Sequence, residues 1–337
     1  MEIILFSSIL ISFVLTMLIL PKWIRKCRKV GLLWEEMHKL GHPKNVAASG
    51  GIVVVMAFVL GVLSYVAIRT FVLDGNGTTL DIFALLSVIL ILALIGIIDD
   101  LFGWQHGGLS ARFRLFLALL ASIPLVVINS GVHNMAFPFL GIVEFGILYP
   151  LLIVPLGVVG ATTTYNFLAG VGGLESGQGI IILSFLSLIA YVTGSSWLAL
   201  IGLCMVASLV VFYFYNKPHA KVFPGDSLTW AIGALIACMA ILGNFEKIAL
   251  FVFMLYALEV ILKLRGRLKK QSFLIPQKDG SLEMPYNKIY GLTHLSLFIL
   301  KKFKRKVYER DVTYLIFIVQ IIICLLALLI FREGLFV

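Results

Sequence analysis

The sequence predicts an all-α, polytopic integral membrane protein of about ten transmembrane helices, with both termini extracytoplasmic. Three observations carry that expectation. Hydrophobic residues make up 61% of the 337-residue chain and charged residues only 13%, whereas soluble domains run near half apolar and a quarter charged. The apolar residues gather in uncharged runs of roughly 20, the length a helix needs to cross a bilayer. Finally, 24 of the 27 Lys and Arg fall in alternate segments between those runs, the bias that marks cytoplasmic loops. The same composition excludes a disordered chain and a disulfide-stapled secreted module.

The elements follow in order. Residues 3–21 form the first uncharged run and 45–68 the second; 82–98, 115–143, 227–245, 248–262 and 312–331 each supply one more span. Residues 145–174 hold a span and then the polar stretch 162–166. Residues 176–216 hold two, divided at Thr193-Gly194-Ser195-Ser196, where small polar residues mark a turn. With the N-terminus outside, segments 22–48, 99–114, 216–226 and 263–311 carry the basic residues, and only Arg69, Lys247 and Arg332 fall on the other side. The first 20 residues read as a retained helix, because Glu2 and no Lys or Arg precede the apolar run and no A-x-A site follows. Cys204, Cys238 and Cys324 lie inside expected spans and Cys27 faces the reducing side, which gives no disulfide framework. No repeat or long linker divides the chain, so residues 1–337 read as one integral membrane domain, with 264–311 as its large cytoplasmic loop.

The polar residues at the ends of apolar runs carry the chemistry. Asp99-Asp100 end the third span, and Asn166 ends the fifth and opens a Gly-rich loop through Gly170, Gly172 and Gly173 to Glu175. Asp226 lies in Val222-Phe-Pro-Gly-Asp226-Ser227, ahead of the eighth span. All three motifs fall on the cytoplasmic side. A single boundary carboxylate is often a solvated helix cap, but adjacent Asp99 and Asp100 repel each other unless a cation or donors offset them. Oxygen ligands from three loops suit a hard cation such as Mg²⁺. Arg112, Arg114, Lys217, Lys221 and the run from Lys263 to Lys270 add cations, and a Gly-rich loop lets backbone N–H groups approach an anion. Together these make a phosphate or pyrophosphate site. The basic cluster 301–306 reads instead as a topology signal with attraction to anionic lipid. His38 and His42 are four apart in a Gly- and Pro-containing loop, which makes a poor zinc site.

The strings Gly96-Ile-Ile-Asp-Asp100, Thr164-Tyr-Asn166-Phe-Leu-Ala-Gly170 with Gly173-Leu-Glu175-Ser-Gly-Gln178, and Asn216-Lys-Pro-His-Ala-Lys221-Val-Phe-Pro-Gly-Asp226 resemble the polyprenyl-phosphate N-acetylhexosamine-1-phosphotransferases. The likeness covers roughly residues 36–300. Gly280-Ser-Leu-Glu-Met-Pro-Tyr286-Asn-Lys288 resembles the dolichyl-phosphate GlcNAc-1-phosphotransferase branch and its archaeal counterparts rather than the bacterial cell-wall enzymes. The resemblance implies transfer of GlcNAc-1-phosphate from UDP-GlcNAc to a polyprenyl (dolichyl) phosphate, releasing UMP, with Mg²⁺ or Mn²⁺ as cofactor. It implies an archaeal plasma membrane or the endoplasmic reticulum, the lipid bilayer and the two substrates as partners, no nucleic acid, and homodimers among relatives.

By the same resemblance, Asn166 and Asp226 would ligand the metal. Asp99 and Asp100 would be the catalytic acidic pair, with Asp99 the one expected to deprotonate or orient the lipid phosphate. Arg114 would stand beside the phosphates, Phe223 would stack on uracil, and Gly170 would meet the base. Lys221, Asn216 and Glu175 match motif positions, and Lys269 and Lys270 with Gln271 stand near the place of the family's sugar-diphosphate-gripping Arg-His-Arg. Departures are visible as well: Ala47-Ala48-Ser49-Gly50-Gly51 lacks the family's Glu, and Gly172 replaces a loop Asn. Two other readings compete. One is a sister enzyme using another UDP-HexNAc or undecaprenyl phosphate. The other is a transporter, whose polar groups would sit near the bilayer midplane in an internal repeat, a pattern this sequence does not show.

Overall fold

The computed structural model describes residues 2–73, 75, 77–137 and 141–335. Its helices are α1 (Glu2–Leu5), α2 (Ser7–Val30), α3 (Gly51–Phe71), α4 (Thr79–His106), α5 (Ala111–Ala121), α6 (Ile123–Val127) and α7 (Val154–Phe167). They continue with α8 (Leu174–Val192), α9 (Ser196–Asn216), α10 (Asp226–Gly243), α11 (Glu246–Val252), α12 (Met254–Arg265), α13 (Leu292–Leu300) and α14 (Glu309–Leu335). A π turn, Tyr149–Ile153, leads into α7.

Among the described residues eight helices are long and apolar enough to cross a membrane: α2, α3, α4, the Tyr149–Phe167 helix, α8, α9, α10 and α14. The other two expected spans are each broken in two. α5 and α6 are divided at Ser122, next to Pro124, which has no N–H to continue the ladder. α11 and α12 are divided at Phe253, where Gln320 Nε2 of α14 donates to the Val252 carbonyl at 3.0 Å. That bond satisfies a backbone group which the break would otherwise leave unpaired in an apolar surround. The expected division at 193–196 is present, with Gly194 left-handed between α8 and α9.

Two expectations are corrected. The run 115–143 is not one long span: helix ends at Val127, and the chain then forms an antiparallel hairpin of β3 (Asn134–Phe137) and β4 (Gly141–Glu144). Asp99 and Asp100 do not end their helix either, since α4 continues to His106. The basic cluster 301–306 is less free than its charge suggests. Lys301 pairs with Glu283, Lys304 with Asp311 at 2.9 Å and Lys306 with Asp279 at 2.7 Å. These pairs knit the small hairpin of β5 (Ile275–Pro276) and β6 (Leu282–Glu283) to the start of α14.

α10 is the most enclosed span, packed on α4 and α7, whereas α2 and α14 leave much of their apolar surface outward. Gly96 of α4 faces the backbone of Asp226 and Ser227, where a Cβ would overlap main-chain atoms. This close approach sets Asp100 beside the first turn of α10. Gly96→Val forces the helices apart and is expected to cost about 1–3 kcal/mol of stability. The thermal midpoint in detergent should fall and turnover should drop with it; a variant with both unchanged would show that this contact does not set the site.

Residues 47–51 run alongside residues 221–224. Ala47 N donates to the Lys221 carbonyl at 3.2 Å, Phe223 N to the Ala47 carbonyl at 2.8 Å, and Gly50 N to the Phe223 carbonyl at 2.9 Å. Ala48, where the resembled family has Glu, is buried, and its carbonyl accepts from Trp23 Nε1 at 3.0 Å. β1 (Leu33–Glu35) pairs antiparallel with β2 (Lys44–Ala47) and holds the intervening loop over the same end of the bundle.

Candidate active site

Four segments converge at the loop-rich end. Gly107 and Gly108, both left-handed, turn the chain after α4, and Ser110 caps α5 by accepting from Phe113 N at 3.4 Å. That turn brings Leu109 N onto Asp99 Oδ1 at 2.5 Å and Arg114 Nη1 onto Asp99 Oδ2 at 2.9 Å. The same Nη1 donates to Asp226 Oδ2 at 3.2 Å. Asp226 Oδ1 accepts from Asn166 Nδ2 at 3.2 Å, and Asn166 Oδ1 accepts from Thr229 Oγ1 at 3.1 Å. Asp100 Oδ1 accepts the Asp226 N–H at 2.8 Å and so caps α10. Gly225 is left-handed, and a Cβ there would run into the Asp100 carboxylate, so only glycine permits this cap.

Asp99 and Asp226 thus share one guanidinium with Asp100 next to them, and when all three carboxylates are ionised two negative charges are left uncompensated. A divalent cation fits that deficit. No three His, Cys, Asp or Glu side chains among the described residues form a complete ligand set. A cation here would therefore rest on Asp226 and Asn166 and take further oxygens from bound phosphates, the usual arrangement for Mg²⁺.

Beside this cluster lies a cavity of about 570 Å³. Of the residues singled out from sequence, Asp100, Asn166, Gly170, Glu175, Phe223 and Asp226 line it. Asp99 does not; its two oxygens are taken by Leu109 and Arg114. Asn216 is buried behind the wall, accepting from Ser176 Oγ at 2.8 Å and donating to the Val222 carbonyl at 2.9 Å, and so holds the 221–224 segment in place. Lys221 is exposed, its ammonium 6.0 Å over the Tyr215 ring. Lys269 and Lys270 are exposed and absent from the lining, with Lys270 over Tyr286 at 4.7 Å. Gln271, next in sequence, does reach the cavity.

The Gly-rich loop is not the anion cradle its composition suggests. Gly170 N donates to Glu175 Oε1 at 3.2 Å and Gly172 N to Glu309 Oε1 at 2.7 Å, so both N–H groups are already engaged by carboxylates. Two lining residues carried no site signal in sequence: Phe273, whose ring lies against Gly170, and Glu309, which pairs with His38, a residue weighed in sequence only as a poor zinc ligand. Their motifs are unremarkable along the chain, and only folding brings them together.

The family model described as glycosyl transferase family 4 matches residues 82–244. A protein of Saccharolobus solfataricus, provisionally named a UDP-N-acetylglucosamine–dolichyl-phosphate N-acetylglucosaminephosphotransferase, is 33% identical over 303 residues, 89% of each chain. A protein of Sulfolobus acidocaldarius with the same provisional name is 32% identical over 323 residues, 95% of this chain and 94% of that one. A phospho-N-acetylmuramoyl-pentapeptide-transferase of a Nitratiruptor species is 30% identical over 308 residues, 78% of this chain and 81% of that one.

Proposed function

Because the chain belongs to glycosyl transferase family 4, we propose that it transfers GlcNAc-1-phosphate from UDP-GlcNAc to a polyprenyl (dolichyl) phosphate. The products are polyprenyl-diphosphate-GlcNAc and UMP. The observation that carries this reading is the meeting of Asp226, Asn166, Asp100 and Arg114 at one end of a cavity large enough for a nucleotide sugar. The two similar archaeal proteins carry names with the same donor and acceptor.

In this reaction a lipid-phosphate oxygen bonds to the β-phosphorus of the donor. The bond from that phosphorus to the bridging oxygen breaks, and its electron pair leaves with UMP. Two anions must meet, an encounter that is strongly repulsive without a counter-charge. Asp226 and Asn166 would hold a Mg²⁺ ion, which would supply Lewis-acid neutralisation of the diphosphate. Arg114 adds a guanidinium beside the leaving phosphate, and Asp99 holds that guanidinium in place. Asp100, which faces the cavity, orients the acceptor phosphate. Phe223 stacks on the uracil, with Gly170 beside it. Both direct attack by the lipid phosphate and a covalent phospho-enzyme route are compatible with these positions.

A second cavity of about 310 Å³ lies between the Tyr149–Phe167 helix, α10 and α11. Its lining runs along α7 to Ala161, five residues or about 7 Å short of Asn166. This apolar groove suits the isoprenoid chain. The catalytic face is assigned to the cytoplasm and both termini to the opposite side, on the strength of the basic-residue bias. Among the described residues that line the main cavity there is no Lys or Arg, while Glu35, Glu36, Glu175 and Glu309 face it. The likeness of residues 280–288 to the dolichyl-phosphate branch favours a HexNAc donor over a muramyl peptide.

The test uses purified protein in detergent with labelled UDP-GlcNAc, a short polyprenyl phosphate and Mg²⁺, with and without EDTA. UMP release and label in the lipid phase are expected only when the metal is present. Absence of both products at saturating metal and substrates would overturn the reading.

A further inference from the structure

His38 and Glu309 form a buried bridge between four chain segments, and nothing in the catalytic cluster accounts for it. Glu309 opens α14 and lies outside the residues matched by the family model. Its Oε1 accepts the Gly172 N–H at 2.7 Å and lies 3.4 Å from His38 Nδ1. On the other side of the imidazole, Nε2 accepts the Leu274 N–H at 3.1 Å. A ring nitrogen that accepts must carry a lone pair, so this network places the ring proton on Nδ1, facing Glu309. The His38 ring also meets Phe273 edge-on, with centroids 5.9 Å apart, and Phe273 in turn rests on Gly170. Thr313, one turn into α14, donates to the Gly172 carbonyl at 3.4 Å.

The circuit therefore links the loop after α2, the Gly-rich loop, the 271–274 segment and the last transmembrane helix. His38, Gly172, Phe273 and Glu309 all line the main cavity. None of the four contacts Asp226, Asn166 or Arg114 in the hydrogen bonds described above. Given the donor reading proposed for this cavity, we infer that His38 and Glu309 are positioning residues for the nucleotide end of the donor. They clamp the wall built from the Gly-rich loop and Phe273, and they take no part in bond-making at phosphorus.

The clamp predicts a split in the kinetics. His38→Ala and Glu309→Ala each remove an acceptor for a buried N–H, and each is expected to raise KM for UDP-GlcNAc roughly tenfold. The KM for the lipid phosphate and kcat should stay within about twofold. Glu309→Gln keeps an acceptor oxygen for both Gly172 and His38 and should recover most of the donor affinity. Because the two residues act as one unit, the double alanine variant should resemble either single variant rather than their product. An unchanged donor KM, a fall in kcat with both KM values unmoved, or multiplicative effects in the double variant would each overturn the clamp. Should the alanine variants fail to elute as folded protein, UMP affinity of His38→Gln decides: weakened binding supports the clamp and unchanged binding overturns it. The wild type in the same assay keeps the two ideas apart. Failure of its UDP-GlcNAc turnover refutes the proposed reaction, whereas normal wild-type turnover with unaltered variants refutes only the clamp.

Discussion

Asp226→Asn is expected to reduce turnover by at least about 100-fold and to weaken the dependence on Mg²⁺, in line with losing a charged ligand for the cation that neutralises transition-state charge. The substitution preserves shape, so its effect isolates the charge. Asp226 Oδ1 meets Asn166 and Oδ2 meets Arg114, so this one carboxylate joins the candidate metal ligands to the guanidinium. Removing it lowers the uncompensated charge of the cluster from two to one, and a divalent cation then has less to bind. The α10 cap survives, because Asp100 accepts the backbone N–H of residue 226 and not its side chain. A Mg²⁺ titration of steady-state rates checks this result. Wild-type activity with an unaltered Mg²⁺ half-saturation would remove Asp226 from the metal site.

Arg114 carries the second large effect. Arg114→Ala leaves Asp99 and Asp226 without their guanidinium partner beside Asp100, and turnover should fall by about two orders of magnitude or more. The thermal midpoint should fall too, modestly, since the Arg114 side chain is 30% exposed and water screens part of the lost pairing. Arg114→Lys should keep turnover within about tenfold of wild type. Both ion pairs in the structure use a single nitrogen, Nη1, and an ammonium can serve as one donor to two acceptors without a fork. Steady-state kinetics of the two variants side by side decide the matter. Equal losses would mean that guanidinium shape, and not neutralisation, is what the site needs.

Much of the fold was legible in the chain. Among the described residues, the ten expected spans became eight continuous helices and two broken ones, and the small-residue turn at 193–196 lies where expected. The runs misled only where hydropathy is blind to backbone geometry. Residues 115–143 are uniformly uncharged, yet Pro124 divides the helix and the last third of the run folds as a hairpin. The break at Phe253 has no Pro or Gly to announce it; it is tolerated because Gln320, 68 residues away, supplies the missing hydrogen bond.

The site shows the same division. Asp99-Asp100, Asn166 and Asp226 could be singled out because polar residues at the ends of apolar runs stand out locally, and the structure brings all four together. Their division of labour could not. A turn through Gly107 and Gly108 sets both Asp99 oxygens on Leu109 and Arg114, while Asp100 lines the cavity, and neither placement can be read from the adjacent pair in sequence. Composition likewise suggested an anion-binding glycine loop, and the family resemblance put Lys269 and Lys270 near a sugar-diphosphate grip. Folding instead pairs the loop's Gly170 and Gly172 N–H groups with carboxylates, and it turns both lysines away from the cavity.

By itself, then, the sequence determined the order of the apolar helices and the polar residues near their ends that meet at one end of the bundle. Those properties depend on hydropathy and on spacing between near neighbours along the chain. Tertiary structure alone decided which carboxylate faces the cavity, which N–H groups are engaged by carboxylates and which distant residues complete the wall. Arg114 meets Asp226 across 112 residues, Gly172 meets Glu309 across 137, and His38 meets Leu274 across 236. Hydrogen bonds over such separations depend on how whole helices pack, and no local pattern encodes that packing.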